Sequence, residues 1–258
     1  MHSSALVRSM WSLEGPGAET GLDGVIVPDA HVEFVFHLGD TWRMRRCRNP
    51  EWVVQPPAFV YAQQRGGIRL QPLGHSSLVA FRVTPVVAAR LLDRLVADLW
   101  DAPISLESLI GDEATRLTEQ LWRARGGERF GILERWIARR LCDWGARDWM
   151  AHELFNAVLW RSRTESMEQV SRRLGPSARS LRRIFESCAG TGPKDVQLSG
   201  RLLAACSFLR DEPDLEITEI AGRVGFYDHA AFTHAFGTRV GLTPSEFRRE
   251  KHVLFERS

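Results

Sequence analysis

The chain has 258 residues, of which 44% are hydrophobic and 26% charged; this composition argues against a disordered chain and favours two packed domains. Its formal net charge of +2 argues against a uniformly basic surface, so a nucleic-acid partner would have to be bound through locally concentrated charge. The first fifteen residues lack the apolar centre of a signal peptide, and no apolar run is long enough to span a membrane. We therefore expect a cytoplasmic protein with no membrane partner.

Residues 1–146 are predicted to form an α+β lobe that is rich in strands and carries flanking helices. Between residues 25 and 83, apolar and polar residues alternate in short runs, as in 32–36, and turn-forming pairs separate the runs. Thr84 followed by Pro85 is typical of a helix start, with the threonine as cap and the proline in the first turn. Helices are expected from there to the end of the lobe.

The longest helix of this lobe is predicted from Phe130 to Trp144. Its apolar residues, among them Leu133, Trp136 and Ile137, recur at the spacing of one helix face. Such a stripe is expected either to cover the strands of the lobe or to form a dimer seam.

Residues 148–258 are predicted to form an all-α domain after a short charged connection at 146–148. Within this domain the segment 167–193 recurs at 217–244, at an offset of about fifty residues. Each copy contains a short helix, a glycine and a second amphipathic helix, which is the pattern of a helix-turn-helix unit.

The two turn glycines have a physical explanation. A sharp reversal between helices uses a backbone conformation that is costly for any residue with a β-carbon, and Gly175 and Gly225 avoid that cost. Charge is also concentrated in the first copy, because seven arginines and only two acidic residues lie between positions 161 and 183. This stretch is therefore the predicted site of contact with double-stranded DNA.

In the second helix of the first copy, Leu181 and Phe185 share the inner face, whereas Arg179, Arg182 and Arg183 lie on the opposite face. Arginine forks in a major groove can bind guanine O6 and N7 together. We therefore predict that these three arginines read bases.

The corresponding helix of the second copy is less basic. Phe232 and Phe236 are expected to face inward, with Thr233 and His234 outward and His229 near the edge. We predict that His229, Thr233 and His234 contact DNA through polar groups, and that most specificity comes from the first copy.

Both second helices have a capping residue at their N-terminus, Ser177 in the first copy and Asp228 in the second. The amides exposed there attract phosphate, although the charge of Asp228 opposes this. Ser177 and Ser180, which lie at the start of the first of these helices, are therefore also predicted DNA contacts.

The second copy and its flanks resemble the signature of AraC/XylS-type bacterial transcription regulators. The residues that carry the resemblance are Ile217 to Ala221, Gly225, Phe226, Asp228, Phe232, His234, Phe236, Gly241, Thr243, Pro244, Phe247 and Arg248. The resemblance covers about residues 148–250 and implies seven helices, with a long central helix at about 193–210 joining two units that enter successive major grooves roughly 34 Å apart. Ala230 and Gly237 depart from the usual polar and basic residues, which weakens the expected contact by the second unit.

Residues 27–39 and 81–85 are similar to the N-terminal lobe of one branch of this family, where such a lobe senses a small molecule or mediates dimerisation. The resemblance therefore implies a transcription regulator controlled by a small-molecule effector or by self-association as a homodimer. RNA polymerase would be a further partner if the protein activates transcription.

A metal site and an enzyme active site are the other kinds of site that the sequence could contain. His31, Glu33 and His37 share a strand face that His75 could approach, but no closely spaced metal-ligand motif is present, so no metal or other cofactor is predicted. Motifs for a serine hydrolase, a phosphate loop or a zinc protease are absent, so the protein is not expected to be an enzyme. Two alternatives remain, namely a sensor or protein-interaction module whose helix-turn-helix pair no longer reads DNA, and an N-terminal small-molecule enzyme fused to a DNA reader.

Overall fold

The computed structural model describes residues 6–16, 25–62, 66–94, 96–99, 102–161, 164–250 and 253–254. The strands are β1 Val7–Gly15, β2 Val25–Ile26, β3 Val32–His37, β4 Trp42–Arg46, β5 Val53–Val54, β6 Ala58–Ala62, β7 Ile68–Pro72, β8 Ser76–Val83, β9 Ile104–Ser105 and β10 Val253–Leu254. The α-helices are α1 Pro85–Leu92, α2 Leu106–Ile110, α3 Asp112–Arg123, α4 Glu128–Arg140, α5 Ala146–Asn156, α6 Met167–Leu174, α7 Ala178–Ala189, α8 Pro193–Asp211, α9 Ile217–Arg223, α10 His229–Val240 and α11 Pro244–Arg249. A 3₁₀ turn lies at Val96–Leu99 and a π-helical turn at Ala157–Arg161.

The strands form two five-stranded sheets. Sheet A has the order β1-β8-β3-β6-β9 and sheet B the order β10-β2-β7-β4-β5. Neighbouring strands are antiparallel except for β10 and β2, which run parallel. The predicted fold, a β-rich lobe with flanking helices followed by a helical domain with two helix-turn-helix units, is confirmed.

Sheet A is covered on both faces, as its alternating side chains require. On β3, Phe34 and Phe36 face the helices and are fully buried, whereas Val35 faces sheet B. A second hydrophobic cluster fills the space between the sheets, with Trp42, Phe59 and Tyr61 as its buried aromatic members. Because successive side chains of a strand point to opposite faces, sheet A contributes to one hydrophobic layer against the helices and to another against sheet B.

The tryptophan stripe of α4 covers the outer face of sheet A. The ring of Trp136 is buried against Phe34 and Phe81, with 6.2 Å between ring centroids in each pair, and its indole N–H donates to Glu113 at 2.8 Å. This confirms the first of the two interpretations of the stripe. The helix itself is shorter than predicted and ends at Arg140, with Trp144 buried beyond it.

The connection predicted at 146–148 is in fact the first turn of α5. The Asp148 carboxylate accepts a hydrogen bond from the backbone N–H of Gly145 at 3.1 Å, so the charge that suggested a linker caps a helix instead. Helices α5 to α11 are the seven helices of the domain within the described residues.

The first helix-turn-helix unit packs directly on the N-terminal lobe. Helices α5 and α7 contact α1, and Thr84 shares a 3.0 Å hydrogen bond with His152. His31 stacks on Trp160 with 6.1 Å between ring centroids. As a result, the hydrophobic core outside sheet A continues into the helical domain.

Sheet B holds the second unit through backbone contacts. The N–H groups of Gly66 and Gly67 donate to the carbonyl groups of Arg239 and Val240 at 2.9 and 2.7 Å. We call this contact, together with the ion pair of Arg69 and Glu250 at 2.7 Å, the sheet-B clasp. Strand β10 returns to the same sheet, an element that the sequence pattern did not predict.

No α-helix within the described ranges is long and apolar enough to cross a membrane.

Candidate nucleic-acid interface and interior cavity

The first unit begins with α6, which is capped at both ends. Ser166 and Gln169 form reciprocal hydrogen bonds between side chain and backbone at the N-terminus. Gly175 ends the helix with φ of 97°, in the region that only glycine adopts without strain. The predicted reason for this turn glycine is confirmed.

Helix α7 has two contrasting faces. Leu181 and Phe185 are buried on the inner face, while Arg179, Arg182 and Arg183 are exposed together on the outer face. No ion pair to Arg179 or Arg183 occurs among the described residues, so their guanidinium groups are available to a ligand.

Arg182 differs from its two neighbours because its Nε donates to a carboxylate oxygen of Glu186 at 2.7 Å. This hydrogen bond raises the pKa of Arg182 above its ordinary value, because the carboxylate stabilises the charged guanidinium. The bond occupies Nε only and leaves the terminal amino groups of the guanidinium free for a bidentate contact. Glu186 is not among the predicted DNA contacts, although its spacing of four positions from Arg182 could have indicated the pair.

Two serines at the start of α7 are joined by hydrogen bonds. Ser177 caps the helix by accepting a bond from the backbone N–H of Ser180 at 3.2 Å, and the two hydroxyl groups lie 3.0 Å apart. Ser177 is exposed and Ser180 is half-buried, on the same end of the helix as Arg179.

The second unit repeats this geometry with different side chains. Gly225 forms the turn with φ of 84°, and Asp228 caps α10 by accepting a bond from the N–H of Ala231 at 2.6 Å. His229 and His234 are exposed on α10. Thr233 is half-buried, and its hydroxyl lies 3.5 Å from the His229 ring.

Two features of the second unit were not foreseen. Tyr227 is fully exposed in the turn immediately before the cap of α10. An exposed aromatic side chain in this turn could have indicated a binding surface from the sequence. Gly237 is buried, and a β-carbon there would lie 3.0 Å from the guanidinium of Arg48. The departure from a basic residue at Gly237 therefore accompanies contact with the N-terminal lobe.

An interior cavity of about 310 Å³ lies between the two sheets. Aromatic side chains from three strands line it, namely Trp11 of β1, Trp42 of β4, and Phe59 and Tyr61 of β6. Its volume is at the lower end of the range that small-molecule sites occupy. The cavity is therefore large enough for a small ring compound.

Charged groups at one end of the cavity neutralise each other. The Arg82 guanidinium donates to Asp29 at 2.8 Å and to Glu33 at 3.2 Å, and Glu33 also accepts the indole N–H of Trp11 at 3.3 Å. Burial alone would raise the pKa of Asp29, but the charges of Arg82 and His31 outweigh it and hold that pKa well below its usual range.

The structure does not bring together His31, Glu33, His37 and His75, the four residues that were considered as a metal site and not predicted to bind one. Glu33 and His37 line the cavity, whereas His31 packs on Trp160 and His75 is exposed elsewhere. Within the described part of the chain, no group of three or more histidine, cysteine, aspartate or glutamate side chains could hold a metal ion.

The paired units with exposed recognition helices define the class of protein, a double helix-turn-helix protein. The helix-turn-helix domain family matches residues 170–250. The chain is 33% identical over 84 residues to the Msm operon regulatory protein of Streptococcus mutans, covering 33% of this chain and 30% of that protein. It is 31% identical over 106 residues to the probable transcription factor PqrA of Proteus vulgaris, covering 38% of this chain and 86% of that protein.

Among solved structures, ToxT from Vibrio cholerae is similar with 12% identity and a TM-score of 0.46, covering 94% of this chain and 98% of ToxT. The chain belongs to the AraC-type family of helix-turn-helix transcription regulators, since its match to PqrA extends over most of that protein.

Proposed function

We propose that the protein is a sequence-specific DNA-binding transcription regulator whose first recognition helix reads guanines. The observation that carries this proposal is the exposure of Arg179, Arg182 and Arg183 on one face of α7. Guanidinium groups in a major groove bind guanine O6 and N7 in pairs, which makes arginine the side chain best suited to this task.

Phosphate contacts would set the position of α7 in the groove. Ser177 and Ser180 lie at the N-terminus of this helix, where exposed amides and the helix dipole favour an anion. Contacts of this kind fix orientation and carry little sequence information.

The second unit would contribute weaker readout. His229, Thr233 and His234 offer polar groups on α10, and Tyr227 adds an exposed ring beside them. Because this face bears no arginine, we propose that it sets register one helical turn away rather than selecting guanines.

The N-terminal lobe would act as the sensor. We propose a division into a sensing lobe at residues 1–146 and a DNA-binding domain at 148–258, with an effector occupying the cavity between the sheets. Strand β7 supports a coupling between the two, because Ile68 and Leu70 line the cavity and Arg69 pairs with Glu250 in the sheet-B clasp. An effector can shift the arrangement of the lobes only by its difference in affinity for the two arrangements.

The test is a salt titration of DNA binding by the full chain, using a sequence selected from random duplexes and an unselected duplex. A DNA reader loses affinity for both as salt rises, with a logarithmic slope of about −0.9 for each phosphate contacted. Arg182→Ala is expected to lose roughly tenfold of its preference for the selected sequence. Arg139→Ala, which removes an exposed arginine from α4 in the other lobe, is the matched control and should retain the preference.

Affinity that does not change with salt, or a selected sequence bound equally well by Arg182→Ala, would refute the proposal.

A further inference from the structure

The walls of the cavity favour a flat ring compound. Trp42 and Phe59 each pack near the imidazole of His37, with ring centroids 6.3 and 5.8 Å away. Trp11 and Tyr61 also line the cavity, together with aliphatic side chains from both sheets. Aromatic rings stack on such walls with a gain beyond the apolar area they bury.

The charged end of the cavity disfavours an anion. Arg82 is the one cationic side chain among the residues described as lining the cavity, and it already binds both Asp29 and Glu33. The charge of this guanidinium is already balanced by its two carboxylate partners, so this end of the cavity has no excess positive charge. A ligand carboxylate placed there would lose its hydration without gaining a free cation, which is costly inside a protein.

The other end of the cavity offers one unused acceptor. His37 is only 5% exposed, and its Nε2 lies 3.0 Å from the amide oxygen of Gln55. An amide oxygen can only accept, so Nε2 carries the proton and Nδ1 is left as a bare acceptor. Nδ1 is buried and has no hydrogen-bond partner among the described residues. Such an atom is satisfied by a ligand that brings an O–H or N–H donor.

We propose that the cavity binds an uncharged aromatic molecule carrying one O–H or N–H donor, that the donor bonds to Nδ1 of His37, and that carboxylates are excluded. The regulatory meaning of this binding rests on the proposed function, whereas the ligand chemistry rests on the cavity alone.

The test compares three bicyclic probes by titration calorimetry on the full chain at pH 7.5, without DNA. Indole is neutral and has an N–H donor, benzofuran has the same shape without a donor, and indole-3-carboxylate keeps the donor but adds a negative charge. We expect indole to bind about tenfold more tightly than benzofuran, the typical value of one neutral hydrogen bond at a buried acceptor. We expect no measurable binding of indole-3-carboxylate at concentrations that saturate the chain with indole.

His37→Phe keeps a ring in the cavity but removes the acceptor, so it should reduce indole binding to the level of benzofuran. His75→Phe, at an exposed site of the same lobe, is the matched control and should bind all three probes as the unmodified chain does. If His37→Phe fails to fold, the comparison of the three probes on the unmodified chain decides alone.

Failure to bind indole, equal binding of indole and benzofuran, or binding of the carboxylate as tight as that of indole each overturns the inference. Salt-dependent DNA binding in a parallel assay reports separately on the proposed function. If the chain binds DNA but prefers the carboxylate, the proposed function stands and the ligand inference is wrong. If the chain binds indole as expected but no DNA, the ligand inference stands and the proposed function is wrong.

Discussion

Arg182 stands apart from the other two arginines of α7 because its guanidinium already holds the carboxylate of Glu186. The pair restricts the directions in which the terminal amino groups point, and in the proposed complex with DNA this would favour one base over its neighbours. The same carboxylate places a negative charge on a surface that would face phosphates. Glu186 should therefore increase selectivity at the expense of affinity.

Glu186→Ala is expected to bind unselected DNA more tightly and to relax the base preference at one position of the selected sequence by about fivefold. Selection from random duplexes followed by sequencing measures both changes. Glu134→Ala removes an exposed carboxylate from α4 and serves as the control for net charge. An unaltered base preference in Glu186→Ala would exclude a positioning role for this residue.

Two buried histidines predict how stability depends on pH. Burial lowers the pKa of His37 and of His152 below the ordinary value of 6.5. The unfolded chain therefore takes up protons as pH falls through 6.5 while the folded chain resists them, so the free energy of unfolding decreases. The contribution of the Asp29 carboxylate to the free energy of unfolding is lost only below about pH 4. The pKa of this group is near 3.8 in the unfolded chain and lower still in the folded chain.

We expect the thermal unfolding temperature to fall between pH 7.5 and pH 5.5, and His37→Phe to lose part of this dependence. His75→Phe, which changes an exposed side chain, should follow the unmodified chain. Identical slopes for His37→Phe and the unmodified chain would show that His37 does not resist protonation.

Local patterns in the sequence predicted the exposure and capping of many residues of the candidate interface. The three arginines of α7 and the cap at Ser177 follow from spacing within one helix, so a sequence reader can place them. The contact of Arg48 with Gly237 joins positions nearly two hundred residues apart, and no local pattern encodes it.

Among the elements of the fold, the sheet-B clasp joins the start of β7 to the end of α10. Gly67 is required because a β-carbon there would lie 2.3 Å from the carbonyl oxygen of Val240, the atom that accepts its own N–H bond. No residue with a β-carbon fits so close to a backbone oxygen, so only glycine is tolerated at this position.

Gly67→Ala is therefore expected to open the clasp, at a cost of about 1–3 kcal/mol in the free energy of unfolding. Faster amide hydrogen exchange at residues 67 and 239–241 should accompany the loss, and mass spectrometry of peptic fragments measures it. Gly127→Ala provides the control, because a β-carbon at Gly127 meets no atom within 4 Å and its φ of −65° suits any residue. Unchanged exchange around Val240 would count against the clasp.

Elements with a local sequence pattern were predicted, whereas elements that depend on distant contacts were missed. The helices were predicted well because their period and caps are local, as in α7 and α10. The start of α5 was missed because charged residues in a first turn look like a linker. Strand β10 was missed because only pairing with distant β2 makes so short a segment a strand.

At the scale of the whole molecule, both helix-turn-helix units are docked on the N-terminal lobe. The first packs on α1 through a continuous hydrophobic core, and the second is held by the sheet-B clasp. The two contacts differ in stability. A shared hydrophobic core resists opening, whereas a contact made of a few backbone hydrogen bonds and one ion pair opens more readily. A ligand between the sheets would therefore act first on the second unit.

Protection of guanine N7 from methylation on a selected duplex measures directly whether α7 reads guanines in the major groove. We expect protected guanines in the major groove beneath α7, and loss of protection at one of them with Arg182→Ala while the rest of the pattern remains. A pattern that is identical for the unmodified chain and Arg182→Ala, or the absence of any protected guanine N7, would contradict base reading by α7.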